Sequence, residues 1–333
     1  MTWIVAPHGT PAGRPQADEP YNPKAVTRYA PAALVAVLLA ATGLAFLHTE
    51  SLKLETSPIR QTRVTKVFSP VCRCDSNKAR IAFRLAKPDV LTVTISDSSG
   101  RDVRRLATNR PSSGRVSFLW GGRDARGRVV ADGFYRARVR LELQEETFVL
   151  PNLIRVDSRR PELQVVSVQP RIFSPDGDGR SDRIIVRYRV DEPARALLSV
   201  DGVQRVVGAS LRPTGELEWF GNVGGVSLPP RRYRLALAAV DLAGNRSATV
   251  KAGPVRIRYV ELVAPVLRAK AGGVLRVRVL TDARRVSWRL GKRRGVGRTP
   301  IFRIRAPQSP GRYRLVVTAN GHKAGAFVSV TAP

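Results

Sequence analysis

The stretch YRARVRLEL alternates strictly: Tyr135, Ala137, Val139, Leu141 and Leu143 form one series and Arg136, Arg138, Arg140 and Glu142 the other. A period of two belongs to a β-strand, whose successive side chains point to opposite faces; wound as an α-helix it would scatter the apolar residues round the surface. It predicts a half-buried antiparallel strand, apolar inside and basic outside. Leu275, Val277 and Val279 alternate with Arg276 and Arg278 in the same way. Beyond about Gln61 no amphipathic helical period occurs. Short apolar runs separated by Gly, Pro and Asp turns predict sandwiches.

The pattern also repeats along the chain. FSPVCRCDSNKARIAFRL begins at Phe68 and FSPDGDGRSDRIIVRYRV at Phe173, a constant offset of 105 that sets Ile81, Phe83 and Leu85 on Val186, Tyr188 and Val190. Each unit then carries a Trp followed by a Tyr-Arg strand: Trp120 with Tyr135, Trp219 with Tyr233, and Trp288 with Tyr313. A Trp closing an apolar strand is read as a core anchor of a sandwich, in preference to a stacking platform for a ligand. The third unit lacks the FSP opening. The units are expected at residues 64–158, 159–260 and 261–333, the last being the most basic.

Ahead of them, Ala30 to Leu47 (APAALVAVLLAATGLAFL) carries no charge. Eighteen helical residues rise about 27 Å, close to the bilayer's hydrocarbon core. The segment 29–47 is therefore expected to be a transmembrane signal anchor, with a cleavable signal peptide as the alternative. Arg14, Lys24 and Arg28 favour a cytoplasmic N-terminus, so the bulk is expected outside the cytoplasm at the cell membrane. Residues 1–28, with Pro7, Pro11, Pro15, Pro20 and Pro23, are expected to be a disordered tail, and residues 48–63 a linker. The fold class is all-β: tandem Ig-like β-sandwiches following a single N-terminal transmembrane helix.

A resemblance then becomes visible. WGGRDARGRVVADGFYRARV, from Trp120 to Val139, resembles the W-x-G-x-D-x-x-G-x-x-V-x-x-G-x-Y signature of FlgD-type Ig-like domains. FSPDGDGRSD is similar to the opening of related extracellular modules. The likeness runs from about Val64 to Tyr259 and weakens after Trp219, where WFGNVGGVSLPPRRYRL loses the Asp and one Gly turn. It implies a sandwich fold with a non-catalytic, structural or adhesive role.

Three His and two Cys leave little material for nucleophile or metal chemistry. A hydrolase on this scaffold would need a converging acid/base pair, and Asp124 and Asp132 are its candidates. Both sit in turn contexts, GRDARG and ADGF, where structural Asp is common. No enzymatic activity and no obligatory cofactor are expected. Helix-turn-helix, RNP and zinc-finger patterns are all missing, so dedicated nucleic-acid binding is not expected either.

Two equivalent loops differ in chemistry. Asp176, Asp178 and Asp182 alternate with glycines, a set of oxygens suited to Ca²⁺, although the EF-hand spacing is not met. The other reading is an Asx/Gly turn whose Asp side chains cap backbone N–H groups ahead of the strand from Ile184. In the first unit Cys72 and Cys74 replace two of those glycines, and Val71 and Arg73 replace two carboxylates. Outside the cytoplasm the thiols can form a small disulfide, an intermolecular bridge or a free pair. The charge sets the last expectation. The chain carries 57 Lys plus Arg against 26 Asp plus Glu, a formal +31, and residues 261–333 hold sixteen of the bases against two acids. Lys292, Arg293, Arg294 and Arg298, the densest cluster, are the candidates for contact with anionic envelope polymers, other envelope proteins being the alternative partners; a solvated basic surface is the competing reading. The expected role is a membrane-anchored envelope scaffold or adhesion protein, and the alternative a carbohydrate-binding accessory module working with a separate cell-wall enzyme.

Overall fold

The computed structural model describes the backbone of residues 23–54 and all of residues 57–333, with side chains in the first segment described for residues 31–46. Two compact units result, Met1–Pro58 and Ile59–Pro333. The tail expected at 1–28 lies, up to residue 22, outside the described residues.

A helix occupies Pro23–Leu54, with Pro31 inside it. Among the described residues no helix is long and apolar enough to cross a membrane, which corrects the transmembrane segment expected at 29–47. The described side chains of that helix, 31–46, are exposed and uncharged. The side chains of residues 29, 30 and 47 lie outside the described residues. The expected linker is also shorter than 48–63, because Ile59–Val64 is already a strand paired with Ala79–Leu85.

Ile59–Pro333 contains three apolar cores, the first and third each between two sheets and the second enclosed by one seven-stranded sheet. In the first, Ile59–Val64, Ala79–Leu85 and Arg115–Trp120 form a three-stranded sheet. It faces a sheet ordered Val67–Phe68, Ile154–Val156, Gly133–Leu141, Asp89–Ser96 and Asp102–Ser112. Along Gly133–Leu141 the predicted alternation holds: Tyr135, Ala137, Val139 and Leu141 are buried. Leu143 departs from it because the strand ends at Leu141, leaving that side chain exposed in a turn.

The second core is crossed by one long strand, Ile184–Val200. Its first half pairs with Leu163–Gln169 and Arg212–Trp219, and its second half with Arg232–Asp241 and Val203–Val207. The same path in the first unit is cut into Ala79–Leu85 and Asp89–Ser96, with Pro88 standing where Pro193 stands in the second. The third core lies between the sheet Glu261–Leu262, Val274–Leu280, Ile301–Arg305 and the sheet Val266–Lys270, His322–Thr331, Gly311–Ala319, Arg285–Leu290, Arg293–Arg298.

The Tyr of each unit does the same work. Tyr135, Tyr233 and Tyr313 donate their hydroxyls to the carbonyls of Ala131, Pro229 and Ser309, four residues upstream, at 2.7, 2.8 and 2.9 Å. Such a bond from the head of a strand to the preceding corner is a tyrosine corner, and it places the third unit in the series despite its missing FSP. Trp120 and Trp219 are core anchors, each packed between a Phe and this Tyr (Phe68 and Tyr135, Phe173 and Tyr233). Trp288 corrects the expectation of a third buried anchor. It is half-buried at the edge of its core and lies over Gly295, its cross-strand partner, where a Cβ would come within 2.7 Å of the ring.

Candidate functional site

The densest charge cluster is built on a hairpin. Leu290 pairs with Arg293 across a two-residue turn, Gly291-Lys292, and Gly291 supplies the positive φ of 57° that the turn requires. The strand period then divides the four residues singled out above. Arg294 and Arg298 share the outer face of the sheet, Lys292 is in the turn, and Arg293 donates to the carbonyl of Arg305 at 2.8 Å. The structure therefore brings two of the four together and sends two elsewhere.

It also adds partners that the linear cluster did not show. Arg285 lies directly opposite Arg298, and Arg289 opposite Arg294. On the neighbouring strands Arg312, Arg314 and Lys323 share the same exposed face, followed by Arg268 and Lys270 on the last strand. Among the described residues none of these nine side chains forms an ion pair, and the only acids of the third unit, Glu261 and Asp282, lie at its border with the second. Like charges directly opposite on a sheet are destabilising. In the second unit Glu216 lies opposite Arg187 at 2.6 Å, although Arg232 lies opposite Arg256 there. Val296, Phe327 and Val266 interrupt the cations with exposed apolar surface, and Arg312 lies 3.8 Å over the Phe327 ring. A shallow groove in this face is lined by Ser287, Arg289, Arg294, Val316, Thr318 and Lys323. The signal for the added residues was present as Arg at alternate positions of several strands, but only pairing registers them.

The two FSP loops lie at the borders between units. Cys72 and Cys74 are joined in a disulfide, their Cα atoms 5.3 Å apart. The ring rests on Gly244 of the second unit, where a Cβ would come within 2.6 Å of Cys74 Sγ. In the second loop Asp182 accepts the Gly177 and Gly179 amides at 2.8 and 2.7 Å, and Asp178 accepts the Arg180 amide at 2.8 Å. Backbone capping, one of the two readings of this loop, is thus present. Asp176, Asp178 and Asp182 still converge, with one oxygen from each within 4.8 Å of the others.

A second carboxylate cluster, Asp157, Glu192 and Asp241, was not singled out in the sequence, because its members come from distant segments. Here Asp157 takes Arg155 at 2.8 Å and Asp241 takes the Asn245 side-chain amide at 2.8 Å. Burial, with Asp157 and Asp241 close by, pushes the Glu192 carboxyl upward. Asp124 and Asp132 hold turns. Asp124 accepts the Arg126 and Arg128 amides and pairs with the Arg128 guanidinium, and Asp132 accepts the Ser158 amide.

The model of the FlgD Ig-like domain family matches residues 72–144. That segment matches the FlgD Ig-like domain. The match takes in the Trp120 signature and the whole tyrosine-corner strand, Gly133–Leu141, of the first unit. No curated protein matches the chain. Among solved structures, the chain is similar to the fibronectin(III)-like modules of Clostridium thermocellum CbhA (13% identity, 59% of this chain and 93% of that one, TM-score 0.33). It is also similar to SGBP-B of the Bacteroides ovatus mixed-linkage glucan utilization locus, solved with a heptasaccharide (17%, 84% and 69%, TM-score 0.23). A third likeness is to a bacterial ice-binding adhesin (14%, 84% and 100%, TM-score 0.27). At such scores these likenesses carry no argument about function. The FlgD Ig-like domain and the tyrosine corners that follow it describe an all-β chain of Ig-like modules.

Proposed function

We propose that the protein is a non-enzymatic, extracytoplasmic scaffold or adhesion protein of the bacterial cell envelope, holding anionic envelope polymers on the outer sheet face of its third unit. One observation carries this reading: among the described residues, nine cations without an ion pair on one sheet face, two Arg–Arg pairs directly opposed among them, with no acid of the third unit alongside. Such a face is stable at lower cost when a polyanion lies on it, and its attraction is long-ranged and screened by salt. The Cys72–Cys74 disulfide supports a location outside the reducing cytoplasm. The exposed apolar helix surface of residues 31–46 supports attachment at the cell membrane.

The test is co-sedimentation of the purified chain with isolated envelopes at low and high salt, beside the variant Arg289→Glu/Arg294→Glu. Binding should disappear above about 0.5 M salt, where the Debye length falls to a few ångströms, and the double reversal should abolish it at low salt. Binding that survives both would sink the reading. It would favour a carbohydrate-binding accessory module instead, since a neutral glycan would be held without regard to salt.

A further inference from the structure

The three-stranded sheet of the first unit, Ile59–Val64, Ala79–Leu85 and Arg115–Trp120, holds five Arg and no acid. Strand pairing sets three of them in one row. Arg60 lies directly opposite Arg84, and Arg84 directly opposite Arg115. Arg63 stands in the next row, opposite Ala82, and Arg80 in the row beyond, opposite Leu119. All five side chains are exposed.

A bulge brings Arg63 to this face. Arg60 and Arg63 are an odd number of residues apart, a spacing that a regular strand sends to opposite faces. The register shifts between them, so that the interval from Arg60 to Arg63 is matched to the shorter one from Arg84 to Ala82. Such an extra residue re-aims the side chains that follow it. Gln61, inside the bulge, sits at a positive φ of 50°, which is uncommon for a residue with a side chain. Ile59 and Val64, on either side, still pack on the core. A shallow groove beside the bulge is lined by Gln61, Thr62, Arg63, Ala82, Phe83 and Arg115.

The facing sheet of the same sandwich handles its Arg differently. There Arg138 goes to Asp102, Arg140 to Glu142 and Arg155 to Asp157. On the three-stranded sheet, among the described residues, Arg63, Arg80, Arg84 and Arg115 make neither an ion pair nor a side-chain hydrogen bond. Like charges directly opposite on a sheet are destabilising, and an anion lying along the row removes that cost. Leu119 is the one large apolar side chain exposed on these three strands. A lipid surface takes up a broad apolar face, so a polymer is the better fit.

We propose that this sheet is a second polyanion-binding face, holding a strand of linear anionic polymer, and that the chain thereby bridges two such strands. The face stands on the first unit alone; only the bridging rests on the function proposed above for the third unit.

The test titrates the full chain with short-chain inorganic polyphosphate by calorimetry, beside Arg84→Glu/Arg115→Glu, Arg289→Glu/Arg294→Glu and the combination of all four. The wild type should show two salt-sensitive sites. Each double reversal should weaken one of them at least about tenfold, and the combination should weaken both. Long-chain polyphosphate should turn cloudy with the wild type and with neither double variant, because a chain with one face cannot cross-link. Without polymer, Arg84→Glu breaks the row of like charges and should raise the melting temperature. A fall would show that the fold itself holds Arg84, and would overturn the proposal. It is equally overturned if Arg84→Glu/Arg115→Glu binds polyphosphate as the wild type does, or if that variant loses phosphatidylglycerol vesicles and keeps the polymer. Binding abolished by the Arg84 pair and untouched by the Arg289 pair would leave this face standing and sink the third unit's role. The reverse result would do the opposite.

Discussion

At the residue scale, Trp120 and Trp219 occupy equivalent core positions under different conditions. Trp120 gives its indole N–H to the Arg123 carbonyl at 3.1 Å, in the GRD turn that the FlgD signature specifies. The second unit has lost that turn, and the Trp219 N–H is buried without an acceptor. An orphaned donor costs about 1–3 kcal/mol. Trp219→Phe, which removes the donor along with some volume, should therefore cost about 1 kcal/mol less than Trp120→Phe, read as the difference in calorimetric unfolding. Equal losses would mean that packing alone sets both. The family signature showed this Trp in the sequence. Nothing there showed that its hydrogen bond depended on residues three positions away.

At the scale of elements, the strand Ile184–Val200 exchanges its partners midway, and Asp191-Glu192-Pro193 lies at that point. Glu192 Oε1 is buried there without a partner. Desolvation, followed by Asp157 and Asp241, holds the carboxyl above its ordinary range, with Arg159 and Arg155 opposing the shift. The folded state therefore keeps the proton to a higher pH than the unfolded chain does. This contribution is fully present below the ordinary carboxylate range and is lost as pH rises through the raised folded value. Glu192→Gln, which keeps the shape without the charge, should raise the urea midpoint at pH 7 and leave it nearly unchanged at pH 4. A lower midpoint at pH 7 would show that the ionised carboxylate is a favourable partner. The alternation of RIIVRYRV showed the first half of this strand, but the partly buried acid at its middle follows from which segments pack across it.

At the scale of the molecule, the FSP loops serve the borders between sandwiches. Gly244 receives the Cys72–Cys74 ring at a φ of +95°, a conformation that side chains rarely adopt. Gly244→Val meets both obstacles, strain and a clash, which together cost about 2–4 kcal/mol. The same change should expose the disulfide to reductant, read as faster alkylation after mild dithiothreitol treatment. Unchanged reactivity would mean that the ring is not shielded by the second unit.

The sequence by itself determined the class and the count of modules. Period two, the offset of 105 and the recurring Trp and Tyr are local or nearly local, and a strand must put alternate residues on one face wherever it is placed. Tertiary structure alone decided the rest. Arg285, Arg289, Arg294, Arg298 and their neighbours became one face through strand pairing, because register and not sequence distance sets which side chains are adjacent. The Asp282 carbonyl reached Arg180 of the second FSP loop, and Gly244 the Cys72 loop, through packing between units, which no periodicity encodes. Trp288 was left half outside its core because Gly295, across the hairpin, left room for the ring to lie flat.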